Sequence, residues 1–158
     1  MRILAIDPGT YESAYVIYED GEPLRVFGKI KNEEFYQKVM LPSLNCYDVI
    51  VIEMIRSQGM PVGKEVFETC LWIGKFMQRG EDLKREVKLV YRHDIKIFLC
   101  GSSMAKDSNI RQAIIDRLGV PGTKKSPGAT YGVSGDVWSA LAVAIFTSNK
   151  LTKNEEKA

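Results

Sequence analysis

The chain has 158 residues, which suits a single domain with a sizeable hydrophobic core. Its 27% charged and 45% hydrophobic residues are ordinary for a soluble globular protein, and a net charge of +2 is too small to indicate a nucleic-acid partner by itself. The 3 cysteines lack CxxC spacing, which argues against a disulfide framework or a zinc site and fits a reducing cytoplasm. No apolar stretch is long enough for a membrane span or a signal peptide.

Hydrophobic patterning and turn residues predict an α/β fold. The predicted strands cover residues 2–7, 13–18, 24–30, 49–53 and 87–91. The predicted helices are a short one capped by Asn32 and ended by Pro42, a long one over 63–79 stopped by Gly80, a short one over 94–99 closed by Gly101, one capped by Asp107 or Ser108, and one over 135–148. Three antiparallel strands followed by alternating helices and strands predict one mixed five-stranded sheet with helices on both faces. Residues 1–149 are predicted to form one domain, and residues 150–158 a polar, frayed tail.

Two of the predicted strands end in a carboxylate. Residues 3–6 are apolar and lead to Asp7, which a Pro-Gly turn follows, and residues 49–52 are apolar and lead to Glu53. Uninterrupted apolar runs are typical of strands buried on both faces, and open α/β sheets bind ligands where such strands end. Either acid alone could simply end its strand. Two acids brought together repel each other unless a cation lies between them, so the pair indicates a metal site.

A third acid, Asp136, lies in the first turn of the last predicted helix, where Ser134 can serve as the N-cap. It lies off the apolar stripe of that helix. An isolated acid at this position would only complement the helix dipole, worth up to about 1 kcal/mol. Together with Asp7 and Glu53, however, it predicts a site of three carboxylates.

These motifs resemble the RuvC family of Holliday-junction resolvases, within the ribonuclease-H-like superfamily. The matching segments are Ile-Asp7-Pro-Gly-Thr10 with Ser13 and Ala14, Ile52-Glu53, Asp136 followed by Ala140-Leu141-Ala142, and more weakly Leu99-Cys-Gly101 with Ala105-Lys106. The resemblance covers nearly the whole chain in the same order of elements, and the short length is similar to resolvases of phages or prophages. It implies a ribonuclease-H-like fold and a metal-dependent endonuclease that cuts four-way DNA junctions as a symmetric homodimer.

The predicted chemistry is phosphodiester hydrolysis with two Mg²⁺ ions, for which Mn²⁺ would be a substitute. Two ions about 4 Å apart can activate a water and stabilise the leaving oxygen, and Mg²⁺ prefers oxygen ligands. We expect Asp7, on the central strand, to bridge both ions, Glu53 to hold one and Asp136 the other. Many members of the resembling family carry another acid where this chain has Ser139, so we expect Ser139 to act at most as an outer-shell contact.

Several residues are candidates for DNA contact. They are Arg56, Gln58 and Met60 after the fourth strand, Lys106 and Arg111 around the start of the next-to-last helix, and Lys124 and Lys125 in a Gly/Pro-rich loop. Arginine and lysine could hold phosphates, and Met60 could wedge against unstacked bases. An ordinary connector, a solvated turn and a solvent-facing lysine are the alternatives for the three groups, and the sequence does not decide between them.

The long helix is apolar over more than one face. Phe67, Trp72 and Phe76 widen its core-facing stripe, and a helix of this kind needs cover on two sides. Either it is unusually buried within a monomer or it forms a twofold interface. We favour the interface, because a junction has two equivalent strands to cut.

The sequence therefore predicts a cytoplasmic, Mg²⁺-dependent endodeoxyribonuclease that resolves four-way junctions as a homodimer, with no membrane association. Two alternatives stay open: another ribonuclease-H-like nuclease acting on RNA or branched DNA, and a non-catalytic junction-binding protein. An ATP-binding fold of the sugar-kinase and actin kind shares the Asp-x-Gly-Thr motif. It needs a second phosphate motif and a second domain, for which the sequence gives no sign.

Overall fold

The structure is a computed structural model that describes residues 1–41, 46–56, 59 and 61–155. The strands are β1 (Ile3–Asp7), β2 (Glu12–Tyr18), β3 (Val26–Lys31), β4 (Val49–Met54) and β5 (Glu86–Tyr91). The helices are α1 (Asn32–Lys38), α2 (Lys64–Asp82), α3 (Arg92–Cys100), α4 (Asp107–Leu118) and α5 (Val137–Glu155).

The five strands form one mixed sheet in the order β3-β2-β1-β4-β5. Strand β2 runs antiparallel to both β1 and β3, whereas β1, β4 and β5 run parallel to one another. The predicted fold class, a mixed five-stranded sheet with three antiparallel strands followed by parallel ones, is confirmed. Strand β1 lies at the centre, so its last residue has strands on both sides.

Helices cover both faces of the sheet, which explains why β1 is apolar without interruption. Ile3 and Ala5 point into a core formed with α3, α4 and α5. Leu4 and Ile6 point into a second core formed with α1 and α2. Each face of β1 is therefore dry, and only its final residue, Asp7, is partly exposed.

Helix α5 is the most deeply buried helix segment, since every residue from 140 to 146 is buried. It begins at Val137 and continues to Glu155, so part of the predicted polar tail is helical and the predicted end at residue 148 is wrong. Despite its apolar middle, neither α5 nor any other helix in the described ranges is long and apolar enough to cross a bilayer.

The sequence suggested that Gly80 stops the long helix. This prediction is wrong, because α2 continues to Asp82. A Cβ at Gly80 would lie 2.5 Å from Cγ2 of Val87 and 3.0 Å from Cδ1 of Ile50. The glycine therefore permits a close approach between helix and sheet within the helix itself. In a sequence, this use of glycine looks the same as a helix end.

Three helix starts also differ from the predicted ones. Asn32 and Asp107 are the first residues of α1 and α4 instead of their caps, because Lys31 and Lys106 occupy the N-cap positions. Helix α3 begins at Arg92, directly after β5. The predicted closure of α3 by Gly101 is confirmed, because this residue adopts the left-handed conformation at the C-cap.

Phe76 is a core residue, so its predicted role in a dimer interface is wrong. Its side chain is 0% exposed and packs edge-on against Phe35 with 5.1 Å between ring centroids. Trp72 is half-buried beneath the ammonium group of Lys75. Phe67, in contrast, is 60% exposed, which leaves part of the apolar surface of α2 open to solvent.

Candidate active site

Asp7 and Glu53 come together at the carboxyl edge of the parallel strands. Ile6 pairs with Ile52 in the register of β1 and β4, so the next residues, Asp7 and Glu53, lie at the same level near the carboxyl ends of neighbouring strands. The side chain of Glu53 is only 14% exposed. The two carboxylates are therefore adjacent, as the sequence predicted, and that of Glu53 is largely shielded from water.

A buried hydrogen-bond network fixes the turn that follows Asp7. The hydroxyl of Ser13 donates to Oδ1 of Asn32 at 2.6 Å, and Nδ2 of Asn32 donates to the Gly9 carbonyl at 2.8 Å. The Gly9 amide in turn donates to the Ser13 hydroxyl at 3.3 Å. A Cβ at Gly9 would lie 2.4 Å from the carbonyl oxygen of Glu12, so the turn requires glycine here. The Asn32 side chain therefore stabilises the turn after Asp7.

The same turn is tied to α2 through Thr10. Its hydroxyl lies 3.2 Å from the hydroxyl of Thr69 and 3.4 Å from the carbonyl oxygen of Glu65. Thr69 is buried and donates to that carbonyl at 2.9 Å. The Asp7 turn is therefore held both by the sheet and by a helix.

Asp136 reaches the site from the start of α5. Its carbonyl accepts the backbone amides of Ser139 and Ala140 at 2.9 and 3.1 Å, so Asp136 is at the cap position and not inside the first turn. Ser139, one turn along, is close enough to Asp7 for its side chain to favour the charged carboxylate and lower the Asp7 pKa. This interaction links α5 to the end of β1.

The electrostatics of Asp7 reflect its crowding by other acids. Burial, followed by the negative charge of Glu53, raises its pKa from 3.8 to about 7, and Asp136 adds to the rise. Arg92 and the Ser139 hydrogen bond oppose the rise. Burial also raises the pKa of Glu53, against the attraction of Arg92. A strongly raised carboxyl pKa in a cleft, such as that of Asp7, is typical of functional sites.

Two basic residues that the sequence analysis missed accompany the outer acids. Arg92 lies with Nη1 3.4 Å from Oε2 of Glu53 and Nη2 2.5 Å from Oδ1 of Asp107. Lys29, on β3, lies with Nζ 2.7 Å from Oδ2 of Asp136. Arg92 follows the third parallel strand directly, and that position at the edge of the sheet was the available signal. Lys29 belongs to an antiparallel edge strand and carried no such signal.

Two open cavities meet at Arg92. The first, of about 750 Å³, is lined by Asp7 and Glu53 together with Arg56, which was predicted to contact DNA. The second, of about 710 Å³, is lined by Asp136, Ser139 and Arg111 among others. Arg92 lines both cavities, and the two cavities together are called the depression.

The three acids fit a hard cation by chemistry and charge, although they do not form a closed ligand shell. In the part of the chain that the structure describes, no group of three or more His, Cys, Asp or Glu side chains is arranged to hold a metal ion. The donors are nonetheless all carboxylate oxygens, which Mg²⁺ prefers. The repulsion that raises the pKa of Asp7 is the interaction that a cation would relieve.

The other predicted DNA contacts divide into three groups. Arg111 stacks on the Trp138 ring, with its guanidinium carbon 5.1 Å from the ring centroid. Lys106, Lys124 and Lys125 line neither cavity. The two loop lysines lie in a tight turn closed by a bridge between Gly122 and Pro127, where they are exposed. Gln58 and Met60 lie outside the described residues.

The sheet order, the flanking helices and the acids at its carboxyl edge define a ribonuclease-H-like fold of the RuvC type. A solved structure of Thermus thermophilus RuvC superposes with a TM-score of 0.75 at 14% identity, covering 98% of this chain and 97% of that one. T. thermophilus RuvC in complex with a Holliday junction substrate gives 0.70 at 15% identity, covering 92% of each chain. No protein-family model and no curated protein matches the sequence. The likeness at this identity is one of fold.

Proposed function

We propose that this protein is an endonuclease that resolves four-way (Holliday) DNA junctions by Mg²⁺-dependent phosphodiester hydrolysis. The observation that carries the proposal is the approach of Asp7, Glu53 and Asp136 at one edge of a RuvC-like sheet. One of the similar structures is bound to a Holliday junction substrate, and that substrate class is the one we carry over to this chain.

Asp7, Glu53 and Asp136 are the residues that would hold two Mg²⁺ ions, or Mn²⁺ as a substitute. When bound, such ions supply the activation of an attacking water and the stabilisation of the leaving oxygen. Asp7 has the central position, since it lies on the central strand of the sheet and feels the charge of both other acids. We therefore assign Asp7 as the shared ligand.

The chain's own groups prepare Asp7 for this role. With a pKa of about 7, a substantial fraction of Asp7 is protonated near neutrality, and it must lose that proton before it can act as a ligand. Arg92 and the Ser139 hydroxyl both favour the charged form. We propose that Ser139 orients the Asp7 carboxylate, a task for which a neutral donor suffices.

DNA contact is proposed for the basic residues around the depression. Arg56 and Arg111 line its two cavities and are suited to phosphates near the acids. Lys106, Lys124 and Lys125 would contact junction arms farther away, because none of them lines the depression. Binding through such contacts weakens steeply as salt rises.

A non-catalytic junction-binding protein is the second candidate. It is favoured by the ion pairs of Glu53 and Asp136 with Arg92 and Lys29, which use the acids internally. It is also favoured by Ser139, which replaces an acid of the resembling family. The two candidates differ in one observable, which is strand cleavage in the presence of a divalent cation.

The deciding experiment incubates the protein with a synthetic four-way junction, a linear duplex and an RNA–DNA hybrid, each with and without Mg²⁺. We expect paired, symmetric nicks in the junction only when Mg²⁺ or Mn²⁺ is present, with the Asp7→Asn variant as control. Preferential cutting of the hybrid would indicate an RNA-directed nuclease. Tight junction binding without cleavage in either cation would support the second candidate.

We also propose a cytoplasmic homodimer, consistent with three unpaired cysteines and with a substrate that has two equivalent strands. Phe67 and Leu71 are 60% and 68% exposed and lie four residues apart on α2, so they form one apolar strip. Leu71→Glu should give a monomer in sedimentation, whereas Glu81→Lys, an exposed change on the same helix, should stay dimeric. A wild-type monomer at micromolar concentration, with and without junction DNA, would contradict the dimer.

A further inference from the structure

Arg92 occupies the centre of the candidate site without being one of its acids. It is the first residue of α3, follows β5 directly, and lines both cavities of the depression. Its side chain is only 26% exposed. Its guanidinium faces Glu53 on one side and Asp107, the first residue of α4, on the other.

The two contacts of Arg92 are unequal. Nη2 lies 2.5 Å from Oδ1 of Asp107, which is a short, charge-assisted hydrogen bond. Nη1 lies 3.4 Å from Oε2 of Glu53, longer than the usual range for such a bond. The guanidinium therefore has a second partner on α4, although the Asp107 side chain is 82% exposed and the pair is screened by water. This second contact would remain if Glu53 turned toward another ligand.

We propose that Arg92 binds the phosphate group that reacts, and that Asp107 is the residue that positions it. The inference rests on the proposed function. A guanidinium presents several N–H donors in a rigid fork that matches the oxygens of a phosphate, and it stays protonated at any working pH. With Glu53 engaged by a cation, Nη1 would lose its Glu53 partner and be available to a phosphate, and Arg92 lines both cavities of the depression.

Arg92 is better placed for this role than the other basic residues of the depression. Arg56 and Lys96 line only the first cavity, and Arg111 lines only the second. Arg111 also stacks on Trp138, which directs it along the flank of α4 and α5. These three residues are therefore suited to flanking phosphates, whereas Arg92 lies beside the acids.

The test compares Arg92→Gln, Arg92→Lys, Asp107→Asn and the double variant Arg92→Gln/Asp107→Asn. The matched control is Arg117→Gln, because Arg117 is exposed on α4 and lines neither cavity. Single-turnover cleavage of a four-way junction at saturating protein gives the rate, and titration with Ca²⁺ in place of Mg²⁺ gives the junction affinity. We expect Arg92→Gln to lose about 10- to 150-fold in rate, the range for hydrogen bonds to charged groups, with affinity nearly unchanged. Arg92→Lys should recover part of that loss because it keeps the charge.

Asp107→Asn should lose less, and adding it to Arg92→Gln should cost nothing further, because Asp107 acts through Arg92. Arg117→Gln should leave both the saturated rate and the junction affinity unchanged. Wild-type rates in both Arg92→Gln and Arg92→Lys, or additive losses in the double variant, would overturn this inference and leave the proposed function standing. A wild-type protein that cuts no junction would overturn the proposed function and this inference with it. If Arg92→Gln does not fold, the rate of Arg92→Lys decides.

Discussion

Glu53 and Asp136 flank the central acid, and each faces a basic side chain, but the two pairs differ in depth and in anchoring. The side chains of Glu53 and Arg92 are 14% and 26% exposed and lie 3.4 Å apart. Those of Asp136 and Lys29 are 55% and 43% exposed and lie only 2.7 Å apart. The closer pair is thus the more solvated one.

The comparison shows that a short contact distance does not by itself make an ion pair strong. An exposed pair is screened by water and is worth about 0–1 kcal/mol, however short its contact. Glu53 lies where burial raises its pKa, so any loss of a neighbouring charge is felt more strongly there. The Asp136 side can therefore open to a ligand almost freely, whereas the Glu53 side opens against the guanidinium of Arg92, whose side chain is only 26% exposed.

The largest expected effect comes from removing the acids. Asp7→Asn, Glu53→Gln and Asp136→Asn should each lower junction cleavage by more than about 100-fold, the upper end of the cost of losing an outer-shell partner of a metal ligand. Asp7→Asn should be the most severe, because Asp7 feels the charge of both other acids. Cleavage rates with saturating Mg²⁺ check this.

Junction affinity should stay intact in all three variants, since none of them removes a basic contact. The buried Glu53 side and the exposed Asp136 side should differ in one respect. Raising the Mg²⁺ concentration should restore part of the cleavage by Asp136→Asn and none of that by Glu53→Gln. Wild-type cleavage in any one of them would remove that residue from the site.

The second effect concerns the stability of the cation-free protein. Asp7 has a folded pKa of about 7 against 3.8 in the unfolded chain, so the folded state holds its proton more tightly. This contribution is fully present below about pH 4 and is lost as pH rises toward 7. In chelator at pH 8, Asp7→Asn should therefore be more stable than wild type, by up to about 4 kcal/mol or on the order of 10 °C in melting temperature.

Thermal melts across pH check this prediction. The gap between wild type and Asp7→Asn should close near pH 4, and saturating Mg²⁺ should raise the melting temperature of wild type at pH 8 but not that of Asp7→Asn. Asp116→Asn, an exposed acid on α4, should show neither behaviour. A gap that does not change with pH would mean that Asp7 titrates normally.

A smaller effect is expected at Ser139. Its interaction with Asp7 is that of a neutral donor, and such a contact is worth roughly 0.5–1.5 kcal/mol, so Ser139→Ala should lower the cleavage rate by about 2- to 13-fold. Ser139→Asp should lower the Mg²⁺ concentration needed for half-maximal cleavage, because it adds a carboxylate next to Asp7. A Ser139→Ala protein as inactive as Asp7→Asn would show that the hydroxyl is essential.

The smallest effect is expected at Lys29. Lys29→Gln removes the partner of Asp136 but leaves a solvated acid, so the Mg²⁺ requirement should fall by less than about 5-fold. Half-maximal Mg²⁺ for cleavage is the measurement, with the exposed Lys31→Gln on the same strand as control. A tenfold or larger change would place Lys29 among the strong determinants of the site and would remove the contrast between the two sides.

The sheet and the adjacency of Asp7 and Glu53 could be predicted from the sequence because both rest on local patterns. An apolar run that ends in an acid gives strand, burial and strand end at once. Arg92 and Lys29 could not be found in this way, because their importance comes from what tertiary packing places opposite them. Phe76 was misassigned for a related reason: periodicity shows that a helix face is apolar but not whether Phe35 or a second subunit covers it.

The buried pair formed by Ser13 and Asn32 has a consequence for ligand binding. Both side chains are almost completely excluded from solvent, and together they satisfy the amide and the carbonyl of Gly9. The backbone next to Asp7 is thus already ordered before anything binds. The conformational entropy of this backbone is lost during folding and not when a ligand binds Asp7. The affinity of the site would therefore depend on charge and dehydration alone.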